Sequence, residues 1–153
     1  MLLSEVPDPI PIVKLCKTAP AAGLVWQGRL PLGKITGLSE EILSKETTEV
    51  AVSLRFFVDQ AGYCCVEGKL EADLGFICQR CLAPMSYPLE ARFLVSPITK
   101  ESQIDNLPEE YEPLWAPSQE IKLMEWIAEE LNLALPLVPR HEDECVSFIA
   151  NTD

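Results

Sequence analysis

Histidine is nearly missing from this sequence: His141 is the single one among 153 residues. No Ser-His-Asp order and no His-Glu-x-x-His spacing can be assembled from one imidazole, which removes the commonest hydrolytic and metalloprotease arrangements. No glycine-rich loop of the phosphate-cradling kind occurs. The longest uncharged apolar runs, such as residues 131–139, are short, and a bilayer span needs about 20 apolar residues. The first residues also lack the basic, apolar, small-residue order of a secretory signal. Together these absences predict a cytoplasmic, soluble protein that is no enzyme, has no small-molecule substrate and does not engage a membrane.

Positive charge is scarce too. Twelve Lys and Arg face 24 Asp and Glu, for a net charge of −12. Residues 1–75 carry a net −3, residues 101–130 a net −8 and residues 131–153 a further −3. Only residues 76–100 are positive, at +2, from Arg80, Arg92 and Lys100 against Glu90. Such a chain repels phosphate backbones, so broad electrostatic binding of nucleic acid is disfavoured and any RNA contact has to be local or mediated by a partner.

The composition that remains is ordinary for a globular domain: 48% hydrophobic and 24% charged. The length suits one domain, 1–153, with a core large enough to fold without crosslinks. Six cysteines are present, and in a chain without an export signal they read as reduced thiols or ligands, not as a disulfide framework. Cys64 and Cys65 are neighbours in a strand-like stretch and should face opposite sides of a sheet. These two and the isolated Cys16 read as small packing residues.

Along the chain, Pro7, Pro9, Pro11 and Pro20 exclude a long helix in residues 1–23 and suggest an extended arm. Residues 24–98 read mainly as strands. The first, 24–32, is anchored by Trp26. Residues 35–44 interrupt the pattern, where Ser39, Glu40 and Glu41 before Ile42 and Leu43 suggest a short capped helix. Residues 48–59 then alternate through Val50, Val52, Leu54, Phe56 and Val58. After an Asp59-Gln60-Ala61-Gly62 turn, residues 63–77 alternate through Val66, Gly68, Leu70, Ala72, Leu74 and Phe76, which makes the two an antiparallel hairpin. A further strand follows Pro84, through Tyr87, Leu89, Ala91, Phe93 and Val95. Residues 99–118 are rich in proline and acid and read as an irregular loop, with Tyr111, Leu114 and Trp115 either pinning it or facing a partner. Residues 119–135 form a helix, capped by Ser118, stopped by Pro136 and carrying an apolar stripe. Glu120, Glu125, Glu129 and Glu130 fall on its wet side. The tail is 136–153. The fold class is α+β: an antiparallel β-meander with one long C-terminal helix packed on it.

Between two of these strands lies Cys78-Gln79-Arg80-Cys81. A C-x-x-C turn aims two thiols into one small volume, half of a tetrahedral zinc site, and His141 with Cys145 would supply the other half. Such a four-ligand site is structural, because no position is left for water or substrate. A redox role fits this turn less well: a strand precedes it, so the helix dipole that lowers a reactive thiol's pKa is missing.

Three motifs carry a family resemblance. Cys-Gln-Arg-Cys-Leu-Ala-Pro, Leu-Pro-Glu-Glu-Tyr-Glu-Pro at 107–113, and Glu-Leu-Asn-Leu-Ala-Leu-Pro-Leu-Val-Pro-Arg-His at 130–141 stand in one order over residues 78–145. The chain thereby resembles the bacterial YceD family, the large ribosomal RNA subunit accumulation proteins. The resemblance implies a cytoplasmic setting and a role in synthesis, processing or stability of 23S ribosomal RNA, without known catalysis. Family members often continue into a longer tail ending in basic residues, which would make the net charge less acidic than the figure above. The leading expectation is a ribosome-biogenesis factor acting through a basic ribosomal protein or RNA-processing enzyme. It would make contact through Glu109, Glu110, Tyr111, Glu112 and Trp115. The alternatives are a small RNA-binding module using Arg80, Arg92, Lys100 and Arg140, and a structural zinc protein unrelated to RNA.

Overall fold

The computed structural model describes residues 2–140. Its frame is a six-stranded sheet in sequence order: β1 (Leu2–Leu3), β2 (Leu24–Pro31), β3 (Glu49–Val58), β4 (Cys64–Ile77), β5 (Pro84–Ile98) and β6 (Glu112–Trp115). β2 to β5 form the antiparallel meander that the alternating sequence implies. β3 alternates buried and half-buried from Val50 to Phe57, with Val58 exposed at its end, and β4 buries Val66, Gly68, Leu70, Ala72, Leu74 and Phe76.

The sheet is not purely antiparallel, and here the expectation needs correction. β1 pairs in parallel with β2 and β6 in parallel with β5. Both edge strands come from stretches read as an arm and a loop. At two and four residues they are too short to show a period, and their pairing partners lie more than ten residues away in sequence.

Among the described residues, two α-helices flank the sheet. α1 (Ile12–Thr18) sits inside the expected extended arm. Pro11 and Pro20 leave residues 12–19 free of proline, room for a seven-residue helix, while the prolines at 7, 9, 11 and 20 forbid a long one. α2 (Leu123–Ala134) starts four residues later than expected. The reason is tertiary: Ile121 exchanges two backbone hydrogen bonds with Ile10, at 2.7 and 3.0 Å. Gln119 adopts a φ of +66°, and the first turn of α2 is capped from afar, Leu123 N–H donating to Asp8 Oδ1 at 3.1 Å. Ser118 is not the cap. α2 is thus one of two α-helices among the described residues, and twelve residues long.

Residues 35–44 form turns instead of the expected helix, with short 3-10 turns on either side at Leu32–Lys34 and Lys45–Thr47. The Ser39 hydroxyl accepts from Glu41 N–H at 3.2 Å, a local turn bond and not a helix cap. Asn132 on α2 holds this excursion by accepting from Ser39 N–H at 3.1 Å and donating to the Gly37 carbonyl at 2.8 Å.

One core unites these parts. Val50, Val52, Leu54, Phe56, Leu70, Leu74, Phe76 and Phe93 from the strands meet Ile12 and Cys16 of α1 and Trp126, Ile127 and Leu131 of α2. Trp126 is 1% exposed, the largest fully buried side chain, and meets Phe93 edge to face at 5.5 Å between ring centroids. The stripe read from the sequence runs through Leu123, Ile127 and Ala134 and omits this tryptophan. The opposite face of the sheet is covered by half-exposed ion pairs, Arg55–Glu67, Lys69–Glu71 and Arg92–Glu90.

Candidate functional site

The cysteine turn is the tip of the β4–β5 hairpin, as the sequence indicates. Ile77 pairs with Pro84, Cys78 N–H donates to the Ala83 carbonyl at 2.9 Å, and Leu82 N–H donates to the Cys78 carbonyl at 2.8 Å. Leu82 takes a φ of +63°, the reversal that closes the knuckle. Cys78 is fully buried and Cys81 half-buried. No described cysteine is in a disulfide.

The chain leaving α2 returns to this tip. Gln79 N–H donates to the Pro139 carbonyl at 2.8 Å, and Pro139 is buried. Residues 136–140 therefore fold back onto the knuckle, a contact of high sequence separation that no local pattern signals. His141 and Cys145, the other half of the expected metal set, lie outside the described residues. Among the described residues no group of three or more His, Cys, Asp and Glu is placed to hold a metal ion.

The four basic residues grouped by the sequence are not one patch. Arg80 precedes β5 and Lys100 follows it, so the fifteen-residue strand holds them at opposite ends, on the order of 45 Å apart at about 3.3 Å per residue. Arg92 lies mid-strand and is ion-paired with Glu90 at 3.1 Å. Only Arg80 and Arg140 share a location, because the Gln79–Pro139 bond joins their backbone neighbours. Both are exposed.

The acidic residues, by contrast, do converge. Glu109, Glu110 and Glu112 are exposed at and before β6, and Trp115 is 51% exposed at its end. Desolvation by burial pushes the Glu130 pKa up, and the carboxylates of Glu112 on β6 and Glu129 on α2 add to it. Glu130 accepts from Trp126 Nε1–H at 3.3 Å and is half-buried. Its expected place on the wet side is corrected accordingly; Glu120, Glu125 and Glu129 are exposed.

Tyr111 is the contact residue that the fold withdraws from the surface. It is 8% exposed, and its hydroxyl donates to Asp59 Oδ2 at 2.5 Å. Asp59 Oδ1 meanwhile accepts from Ala61 N–H at 3.0 Å and Tyr63 N–H at 2.9 Å in the β3–β4 turn. The Tyr111 hydrogen bond, with those backbone donors, holds the Asp59 carboxyl below its ordinary pKa, and the same bond raises the Tyr111 phenol. Tyr111 thus fastens the segment before β6 to the β3–β4 turn.

Sequence reasoning missed the encounter of Cys16 with the backbone of β4. As expected, Cys64 and Cys65 face opposite sides: Cys64 packs at the margin of the main core, while Cys65 is buried and in contact with Tyr111. Cys16 on α1 reaches across to β4, where its thiol donates to the Cys65 carbonyl at 3.4 Å. Only the docking of α1 brings residues so distant in sequence together.

No described helix is long and apolar enough to cross a membrane. A family model, Large ribosomal RNA subunit accumulation protein YceD, matches residues 66–149, from early β4 through the knuckle, β6 and α2. A curated relative from Haemophilus influenzae (strain ATCC 51907 / DSM 11121 / KW20 / Rd) carries the same name. It is 36% identical over 122 residues, covering 79% of this chain and 70% of the relative. No solved structure matches. The chain belongs to the YceD family of large ribosomal RNA subunit accumulation proteins.

Proposed function

We propose that this chain supports the accumulation of large-subunit (23S) ribosomal RNA in the cytoplasm, without catalysis of its own, by engaging a basic ribosomal protein or RNA-processing enzyme through its acidic face. The observation that carries the reading is the convergence of Glu112 on β6 with Glu129 and Glu130 on α2, extended by exposed Glu109 and Glu110 and edged by Trp115. Two elements separate in sequence place like charges close enough to perturb one another, which is unfavourable for the isolated chain and becomes favourable against a cationic partner. The half-exposed indole adds the aromatic contact that such interfaces favour.

The test is reversal of Glu109, Glu110 and Glu112 to lysine. Expected is a loss of co-purifying basic ribosomal proteins at low salt, and failure of the variant to restore large-subunit RNA levels in cells lacking the wild-type chain. Full restoration with unchanged co-purification would overturn the proposal.

One observation favours a second reading. Arg80 and Arg140 each follow a residue of the Gln79–Pro139 bond and are exposed at the knuckle end, positive charge of the kind that local RNA contact would use in an acidic protein. A salt-dependent gel shift with a 23S precursor that disappears in Arg80→Glu would favour it over the acidic-face reading.

The same end is the proposed zinc site, with Cys78, Cys81, His141 and Cys145 as ligands. The hairpin presents the two thiols, and the Gln79–Pro139 bond brings the chain back to the knuckle two residues before His141. Zinc there would act as a structural crosslink between the hairpin and the segment after α2. Metal analysis of the purified chain should find about one zinc per chain, and Cys78→Ser should lose it; a metal-free, equally stable wild type would overturn the assignment.

A further inference from the structure

Residues 100–110 lead into β6, and none of them is buried. Gln103, Asn106 and Leu107 of this segment share with Val13 and Lys17 of α1 the lining of a cavity of about 320 Å³. Side-chain packing therefore does little to fix the segment, and hydrogen bonds take its place. Gln103 Oε1 accepts from Thr99 N–H at 2.7 Å and from Lys100 N–H at 3.3 Å, which closes the 3-10 turn Glu101–Asn106 on itself. The next two attachments both go to the β3–β4 turn. The Tyr63 hydroxyl donates to the Asn106 carbonyl at 2.8 Å, and the Tyr111 hydroxyl donates to Asp59 Oδ2 at 2.5 Å.

These two bonds run in opposite directions. Tyr63 reaches out of the turn and Tyr111 reaches into it, with ring centroids 6.3 Å apart. Between the two attachment points lie Leu107, Pro108, Glu109 and Glu110, closed locally by Tyr111 N–H donating to the Pro108 carbonyl at 3.1 Å. The turn that receives them is itself braced. Asp59 N–H donates to the Tyr63 carbonyl at 3.0 Å, and Asp59 Oδ1 accepts from Ala61 N–H and Tyr63 N–H. A short loop with two exposed carboxylates is thus tied at both ends to one rigid turn.

We propose that Asp59, Tyr63 and Tyr111 form a clasp that positions Glu109 and Glu110 for a cationic partner. The inference rests on the acidic-face reading and deepens it, naming residues that set the affinity of that face without touching the partner. The physical reason is entropic. A loop that is free before binding loses backbone and side-chain freedom when a partner orders it, and that loss weakens association. A loop tied at both ends has given up this freedom on folding, so its carboxylates meet the partner's guanidinium or ammonium groups already in place. Asp59, Tyr63 and Tyr111 are positioning residues, acting through Glu109 and Glu110.

The test uses the full chain and a fluorescein-labelled octa-arginine peptide, with binding read by fluorescence anisotropy at low salt. Tyr63→Phe and Tyr111→Phe each delete one hydroxyl and leave the ring and the net charge unchanged. In the double variant the affinity should fall about fivefold or more. Amide exchange over residues 106–111 should quicken about tenfold or more, while β3 and β4 exchange as in wild type. Bonds with a merely structural role would lower the melting temperature and leave the affinity of the folded molecules unchanged. A measurement on the wild type needs no variant to fold: the Tyr111 amide should exchange about tenfold or more slowly than those of Glu109 and Glu110. Equal exchange of these amides would overturn the clasp. So would wild-type affinity in the double variant where reversal of Glu109, Glu110 and Glu112 to lysine abolishes peptide binding, a result that leaves the acidic face standing. Peptide binding that survives the lysine reversal would instead overturn the acidic-face reading, and the clasp with it.

Discussion

Replacing Gly68 by alanine puts a methyl group where the fold has placed an aromatic ring. Gly68 on β4 is the direct partner of Phe93 on β5, and the phenyl ring folds over the space that the missing side chain leaves. A Cβ there would lie 2.1 Å from Phe93 Cζ, 2.2 Å from Cε2 and 2.8 Å from Cε1, against an ordinary carbon contact of about 3.5–4.0 Å. The ring would have to retreat by more than an ångström, on the order of the whole deficit, with Trp126 already packed against it at 5.5 Å and 1% exposed. Overpacking of this kind costs about 1–3 kcal/mol, and the rigid neighbour argues for the upper end. Relief of glycine's backbone entropy offsets roughly 0.5–1 kcal/mol. The net expectation is a destabilisation of about 2 kcal/mol, a fall in melting temperature of roughly 4–8 °C for a domain of this size. Urea unfolding followed by tryptophan fluorescence reads it directly. The decisive control is Phe93→Leu, which opens the space: in that background Gly68→Ala should cost little, giving a coupling of at least about 1.5 kcal/mol in the double-mutant cycle. A Gly68→Ala protein within about 0.5 kcal/mol of wild type, or additivity with Phe93→Leu, would refute the reasoning.

Three further expectations concern charge. Asp59 has a depressed folded-state pKa, so its stabilising contribution is complete above its unfolded value of about 3.9 and is lost as pH falls through the folded value. The stability gap between wild type and Asp59→Asn should therefore be constant near neutrality and close below about pH 4 in acid unfolding titrations. Tyr111→Phe, which removes the donor to that carboxylate, should cost about 1–2 kcal/mol at pH 7 by the same urea assay. Glu130 is the opposite case: burial raises its folded-state pKa, so ionisation weakens the fold as pH rises through that value. Glu130→Gln, which keeps an acceptor for Trp126 Nε1–H, should be more stable than wild type at pH 7, and the difference should disappear on acidification below about pH 4.

The central strands were legible because a half-buried strand writes its burial into the sequence at period two: Val50 to Phe56, Val66 to Phe76 and Leu89 to Val95 each alternate. The cysteine turn was legible for the same reason, since strands of matched length on either side leave it only the role of a hairpin tip. The short edge strands β1 and β6 were not, because a pairing of two or four residues is stabilised by its neighbour and not by its own pattern. The expected helix at 35–44 failed on a related point. Ser39 and Glu41 resemble a helix start, but Ile35 and Ile42 are buried in the main core and Leu43 bridges to Gly75, demands that a helix there does not meet. Trp126 belonged to the apolar stripe all along and was passed over in favour of the aliphatic positions.

The sequence alone determined the family, the meander and the position of the two knuckle thiols, because each depends on residues close together in the chain. Tertiary structure decided which charges form a surface and where the Cys16 thiol docks. Arg80 and Lys100 share a segment of sequence but stand at opposite ends of β5, whereas Cys16 and the Cys65 carbonyl, or Tyr111 and Asp59, are separated along the chain and hydrogen-bonded in space. The physical reason is that electrostatics and thiol chemistry act over a few ångströms through space, and an extended strand carries neighbours in sequence far apart while a docked helix brings strangers together.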